Sequence, residues 1–224
     1  MGSDDIFKNR KRERQKRKRE YRQPKANSFL IITEGKKTEP HYFNGLKRLI
    51  VEKIGGCVDV VDIEVRGEGR GTNSLIEKTD EIVGKSKKLY QNIWVVFDKD
   101  DFSDFDEAVR NGQQKGYKIA WSNQSFEYWL FLHFEYSDSG LHRDDWNGKL
   151  TELFAKYNLG DGIYRKNYEE IYEMMERNNR VDIAVKNARK RMNSFDSEKG
   201  LPSNCNPGTR VHILVEELRR FLKE

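Results

Sequence analysis

The sequence predicts an α/β fold in which a largely parallel sheet is flanked by helices and followed by a C-terminal helical extension. Three observations support this prediction. Short apolar runs rich in β-forming residues alternate with segments of helical periodicity, the connections between them are short, and no convincing strand follows residue 141. Because such connections between parallel strands are right-handed crossovers, successive units place their strands side by side in one sheet.

The first strand and helix are predicted after residue 27. Residues 28–33 (SFLIIT) form an apolar run typical of a buried strand, which Glu34 and Gly35 end. Pro40 then stands in the first turn of a helix. Five apolar side chains share one face of that helix: Tyr42, Phe43, Leu46, Leu49 and Ile50.

The same unit recurs along the chain. Further strands are predicted at residues 58–65, 92–97 and 117–121, with helices at about 72–90, 105–115 and 125–134. The loop of Gly67, Gly69 and Gly71 lacks the Gly-Lys-Ser/Thr ending of a phosphate-binding P-loop, so a turn into the next helix explains it. The extension is predicted to be helical at residues 145–157, 167–178, 181–194 and 208–222.

The positive charge is concentrated at the N-terminus. The 224 residues carry a net charge of +5, but residues 1–22 alone hold ten Lys and Arg against four acidic residues. This division predicts a basic, disordered or helical tail (1–24), an α/β core (25–140) and a helical extension packed on it (141–224). The tail could steer the protein to phosphate backbones or only increase solubility. The near-neutral remainder requires local patches or bound metal to contact nucleic acid.

The chain has only two cysteines, Cys57 and Cys205, too few and too far apart to indicate a disulfide framework or a zinc site. It also has no apolar run of membrane-spanning length and no N-terminal signal sequence. We therefore expect a cytoplasmic protein with no membrane association.

Acidic residues follow two of the predicted strands. Asp98, Asp100 and Asp101 come directly after residues 92–97, and Glu34 follows the first strand. If the strand continued, Asp98 and Asp100 would point the same way, which two carboxylates tolerate poorly without a cation. The Asp run alone is also typical of a polar turn with helix capping. Since ligands bind beyond the carboxyl ends of parallel strands, Glu34 and the Asp run together favour a Mg²⁺ or Mn²⁺ site.

Several other polar residues are candidates for the same edge of the sheet. Lys36 and Lys37 are placed to contact phosphate but could be solvated, and His41 could equally touch substrate or cap its helix. Glu127 could complete a metal site, or could be an ordinary first-turn acid behind an N-cap at Ser125.

One further histidine, His133, lies on the apolar face of its helix. Phe126, Trp129 and Leu130 precede it by seven, four and three residues. A packed, hydrogen-bonded histidine is therefore expected.

The pattern of Glu-Gly after one strand and Asp-x-Asp after another resembles the toprim signature of primases, topoisomerases, recombination proteins and overcoming-lysogenization-defect nucleases. Longer motifs resemble the RloB-like family over about residues 28–222: ITEGxxTEPxYF at 32–43, FDxD at 97–100, SNxxFExWLxxHF at 122–134 and NPxTxV at 206–211.

This resemblance implies a toprim-like, Rossmann-like nuclease of prokaryotic phage-defence or abortive-infection loci, often encoded beside a partner ATPase. By analogy, Glu34 would be a general base or metal ligand, and Asp98 and Asp100 would bind Mg²⁺ or Mn²⁺. The resemblance also favours a functional Glu127, and toprim nucleases commonly bring a lysine from outside the core motifs, for which Lys166 is the candidate. Asp101 departs from the widely spaced third acid of some toprim proteins.

The functional prediction is a metal-dependent endonuclease acting on DNA or RNA, tRNA included. The alternative is a catalytically silent module with a nucleic-acid-binding or regulatory role, which works only together with a partner ATPase. A receiver domain requires an acidic pair after the first strand, where this chain has Glu34 and Gly35. The chain is also shorter than the strand-passage domains of a topoisomerase would require.

Overall fold

Five strands form one sheet in the order β2-β1-β3-β4-β5 in the computed structural model, which describes residues 27–55, 61–195 and 200–223. The strands are β1 (Ser28–Thr33), β2 (Asp62–Gly67), β3 (Asn92–Asp98), β4 (Lys118–Asn123) and β5 (Gly208–Thr209). The first four strands pair in parallel with one another, and β5 is antiparallel to β4. The predicted α/β class with a mostly parallel sheet is therefore confirmed.

Eight α-helices accompany the sheet in the described part of the chain. They are α1 (Thr38–Lys53), α2 (Thr72–Lys85), α3 (Phe105–Gln114), α4 (Phe126–Phe131), α5 (Arg143–Lys156), α6 (Ile171–Glu176), α7 (Arg180–Asn193) and α8 (Val211–Arg219). None of these helices has both the length and the apolar character needed to cross a membrane.

Strand β1 is buried on both faces, which explains its unbroken apolar sequence. Phe29 and Ile31 join the core on the side of α1, while Leu30 and Ile32 join the core beneath α2 and α3. The centre of the sheet is thus covered on both sides.

The core on the α1 side is shared with the C-terminal half of the chain. Tyr42 of α1 lies edge to face with Trp129 of α4 and Tyr172 of α6 at centroid distances of 6.2 and 5.0 Å. Trp146 of α5 is fully buried, 5.1 Å from Tyr128 and 5.0 Å from Phe131. One continuous apolar core therefore joins the sheet to the helices that follow residue 141.

The structure contradicts the expectation that no strand follows residue 141. Thr209 pairs with Ser122, and Gly208 with Asn123, so β5 adds an antiparallel edge. Two residues are too few to show a strand periodicity. The last helix consequently begins at Val211 rather than at residue 208, and the Val211 N–H donates to Thr209 Oγ1 over 3.2 Å.

Other boundaries differ by a few residues. Helix α2 ends at Lys85 and not near residue 90, because Ser86 has an extended backbone (φ −64°, ψ 139°). Strand β2 extends two residues beyond the predicted end of its strand. The predicted strand residues 58–60, the basic tail and Cys57 lie outside the described residues.

Candidate active site

A cleft of about 350 Å³ opens at the carboxyl ends of β1 and β3. Eleven residues line it: Glu34, Gly35, Lys36, Lys37, Thr38, Glu39, Asp98, Asp100, Phe126, Glu127 and Lys166. They come from the loop between β1 and α1 and the start of α1, from the end of β3 and the turn after it, from the start of α4, and from the segment between α5 and α6. The fold thus brings the predicted acids of both strands into one site, as expected for an open parallel sheet.

Glu34 extends β1 into the cleft. Its N–H donates to Val96 O over 2.9 Å, and its Oε2 accepts the Asp98 N–H over 3.0 Å. Burial raises the pKa of Glu34 from 4.5 to about 7; the Asp98 N–H opposes the rise, while Asp100 and Glu39 add to it. The carboxyl group can therefore hold or release a proton near neutral pH.

Asp98 connects the end of β3 to the start of α4. Its Oδ2 accepts the Phe126 N–H over 2.9 Å. Ser125 occupies the N-cap position of this helix, but its Oγ makes no hydrogen bond among the described residues, and Asp98 supplies the acceptor instead. Burial, with Glu39, Glu34 and Glu127 nearby, raises the pKa of Asp98 well above its ordinary value.

The chain turns sharply at Asp100, whose φ of 40° is left-handed. The strand ends at Asp98, so the condition under which Asp98 and Asp100 would point the same way, a continued strand, is not met. Arg143, at the start of α5, binds Asp100 Oδ1 over 3.0 Å and Asp101 Oδ2 over 3.3 Å. Asp100 still lines the cleft, whereas Asp101 is exposed and lies outside its lining.

Glu127 is paired with a lysine from the C-terminal part of the chain. Its Oε1 lies 3.0 Å from Lys166 Nζ and accepts the Tyr164 hydroxyl over 3.1 Å. Lys166 is itself fixed to α1, since Thr38 Oγ1 donates to its carbonyl oxygen over 3.1 Å. Although partial burial opposes it, the charge of Glu127 raises the pKa of Lys166 above its ordinary value.

Glu39 is a cleft residue to which the sequence interpretation gave no role. It is 7% exposed, and its Oε1 accepts the Gly35 N–H over 3.0 Å. Burial and the neighbouring Glu127 raise the pKa of Glu39 to about 7. The signal in the sequence is a second acid five residues after Glu34, but an acid at this position is also typical of the first turn of a helix.

The structure also gives the positions of Lys36, Lys37, His41 and His133. Lys36 and Lys37 line the cleft, whereas His41 lies in a separate depression beside Lys47. The packed role of His133 is confirmed, because its Nε2 and Nδ1 lie 3.1 Å from Tyr42 Oη and 3.0 Å from Trp129 O. Burial lowers the pKa of His133 to about 3, so it is neutral at physiological pH.

The glycine-rich loop is held against the cleft. The Gly69 N–H donates to Glu34 O over 2.8 Å. A β-carbon on Gly71 would lie 2.7 Å from the Phe102 ring and 2.9 Å from Glu34 Oε1. A side chain at residue 71 would therefore collide with both groups, so the glycine permits close approach and is more than a flexible turn.

The donor chemistry of the cleft fits a divalent cation. Carboxylate oxygens are the ligands that Mg²⁺ and Mn²⁺ prefer, and the like charges beside Glu34, Glu39 and Asp98 disfavour their simultaneous ionisation. Among the described residues, no three His, Cys, Asp or Glu side chains stand as a ready ligand set. Glu127 Oε1 is already engaged by Lys166 and Tyr164.

The sequence matches one protein-family model over most of its length. The model described as RloB-like protein matches residues 29–218, which include every residue of the cleft lining. Searches of curated proteins and of solved structures gave no match.

Proposed function

The chain belongs to the RloB-like family, and from this premise we propose that it is a divalent-metal-dependent nuclease that cleaves phosphodiester bonds of DNA or RNA as an effector of phage defence. The observation that carries the proposal is the cleft itself. Five carboxylates, Glu34, Glu39, Asp98, Asp100 and Glu127, share it with Lys36, Lys37 and Lys166. This combination suits both a cation and a phosphate group.

Asp98 and Asp100 are proposed to hold Mg²⁺ or Mn²⁺, with Glu127 completing the ligands after it leaves Lys166. A bound cation of this kind supplies Lewis-acid stabilisation of charge on the phosphodiester. Glu34 is proposed as a ligand or as the base that accepts a proton from water. A pKa of about 7 suits the second role, since a base works best with a pKa near the operating pH.

Lys166 is proposed to stabilise negative charge on the transferring phosphate. Its side chain is 59% exposed at the cleft, and its ammonium group is held by Glu127. If Glu127 turns to a cation, the freed ammonium group is placed for the phosphate oxygens. Lys36 and Lys37, both exposed at the cleft rim, are proposed to contact the neighbouring phosphates.

The proposal is tested by incubating end-labelled single-stranded RNA, tRNA, single-stranded DNA and duplex DNA with Mg²⁺ or Mn²⁺, with and without a neighbouring ATPase. We expect cleavage of at least one substrate, and a loss of at least about 100-fold for Asp98→Asn. Asp101→Asn is the matched control, since this acid lies on the same turn but outside the cleft lining. No cleavage under every combination, or full cleavage by Asp98→Asn, contradicts the proposal.

A second candidate function is a silent nucleic-acid-binding or regulatory module. The ion pairs of Glu127 with Lys166 and of Asp100 with Arg143 favour it, because they already satisfy two of the acids that a metal would need. Titration with Mg²⁺ or Mn²⁺ separates the two functions. A nuclease should gain thermal stability that Asp98→Asn abolishes, whereas a silent module should show no such gain.

A further inference from the structure

An exposed aromatic ring stands at the rim of the cleft. Phe102 follows the Asp98–Asp101 turn and is held by its N–H, which donates to Lys99 O over 3.1 Å. Its side chain is 39% exposed and belongs to neither apolar core of the described residues. Packing of the core therefore does not account for a phenylalanine at this position.

The ring is close to the proposed chemistry. Because a β-carbon on Gly71 would lie within 3 Å of both the Phe102 ring edge and Glu34 Oε1, ring and carboxylate are less than about 6 Å apart. Gly71 thus keeps the space beside the ring free of any side chain, on the side that faces Glu34.

The Lys36 ammonium group lies beside the same loop at Gly69, two residues before Gly71. A β-carbon on Gly69 would lie 3.0 Å from Lys36 Nζ, so the Lys36 ammonium group and the Phe102 ring border the short stretch Gly69–Gly71. Gly69 has a left-handed φ of +67°, which lets the loop pass close to Lys36. The rim therefore presents an ammonium group and an aromatic ring beside the same short loop.

We propose that Phe102, Lys36 and the Gly69–Gly71 loop form a subsite for one unpaired nucleotide beside the scissile phosphate, with the base stacked on Phe102 and its phosphate at Lys36. The inference rests on the proposed action on nucleic acid and deepens it by naming the substrate class. Aromatic rings beside cationic groups are the usual means of binding single strands, because every base offers a π-face. A paired base is stacked within its duplex and is unavailable to the ring.

The subsite implies a preference for single strands, loops or frayed ends over continuous duplex. Binding is measured by fluorescence anisotropy with labelled 12-nucleotide single strands and the matching duplex, in EDTA and in Ca²⁺, so that cleavage is not needed. We expect Phe102→Leu to weaken single-strand binding five- to hundredfold, equivalent to about 1–3 kcal/mol for one stacked base. Phe102→Trp should bind at least as well as the unmodified chain.

The matched control is Tyr157→Leu. Tyr157 is an aromatic residue of similar exposure (37%) that stacks on Phe134 outside the cleft lining. It should leave affinity unchanged, and thermal unfolding of all variants checks their folding. The Trp variant gives a direct signal, because the four native tryptophans are buried and the new indole would be the only exposed one. Stacking should quench its fluorescence.

Three results would overturn the subsite: no binding of single strands, equal affinity of Phe102→Leu and Tyr157→Leu, or a loss for Phe102→Leu that is the same for duplex and single strand. Failure of the nuclease proposal can be distinguished from failure of the subsite. Binding that depends on Phe102 without any cleavage would contradict the nuclease and support the subsite, whereas cleavage that is insensitive to Phe102 would do the reverse.

Discussion

The raised pKa of Glu34 predicts a specific pH dependence of stability. The unfolded chain binds this proton with a pKa near 4.5 and the folded chain with a pKa of about 7. The folded state therefore holds the proton more tightly between these values, and stability present below pH 4.5 is lost as the pH rises to 7. Glu34→Gln removes this titration while keeping an oxygen for the Asp98 N–H.

The magnitude follows from the two pKa values. Their difference corresponds to at most about 3 kcal/mol, which solvent screening of this partly exposed carboxylate reduces to about 1–2 kcal/mol. We expect the stability of Glu34→Gln, relative to the unmodified chain, to increase by that amount between pH 4.5 and 7.5. Relief of the repulsion on Asp98 acts in the same direction.

The assay is urea unfolding followed by tryptophan fluorescence at intervals between pH 4.5 and 8 for both proteins. Glu68→Gln, in the neighbouring glycine-rich loop and outside the cleft lining, is the control. Its stability relative to the unmodified chain should not follow the Glu34→Gln curve. A constant difference between Glu34→Gln and the unmodified chain, or a difference that falls with pH, refutes the burial argument.

Three further predictions test the cleft and its support. Lys166→Met should slow single-turnover cleavage by at least about 100-fold while leaving oligonucleotide affinity within a few-fold, and Lys166→Arg should restore part of the rate; equal rates for the two variants would contradict a charge role. Gly71→Ala should impair cleavage, because its β-carbon would meet Phe102 and Glu34, whereas Gly84→Ala, at a helical position with open space, should be neutral or stabilise by up to about 1 kcal/mol; equal effects of the two would contradict the close approach. Trp146→Ala should cost about 3–5 kcal/mol and leave a single transition in thermal circular dichroism, since Trp146 lies in the shared core; two separate transitions would contradict that core.

The part of the site that follows from strand order could be predicted from the sequence. Glu34 and Asp98 each directly follow an apolar run, and neighbouring parallel strands place their carboxyl ends at one edge whatever the loops do. The sheet itself was predictable for the same reason, since β1 and β3 are buried on both faces and read as continuous apolar runs.

The remaining contacts depend on tertiary packing between distant segments. Arg143 meets Asp100, and Tyr164 meets Glu127, across 43 and 37 positions that no periodicity relates. Strand β5 is two residues long, too short for an alternation to be visible. The left-handed turn at Asp100 was unpredicted because Asp is common in strand-end turns of many shapes.

The cleft is completed by Lys166, a late residue of the chain that Thr38 holds through its carbonyl oxygen. Asp98 leaves the ribosome 68 residues ahead of Lys166, roughly 3–14 seconds earlier at usual rates of translation. Until Lys166 has been synthesised, Glu127 lacks its counter-ion. Strand β4 lacks its neighbour β5 for longer still. The nascent chain thus completes its acidic edge well before the residues that neutralise and cover it, so the cleft acquires its final charge only when the late segments dock.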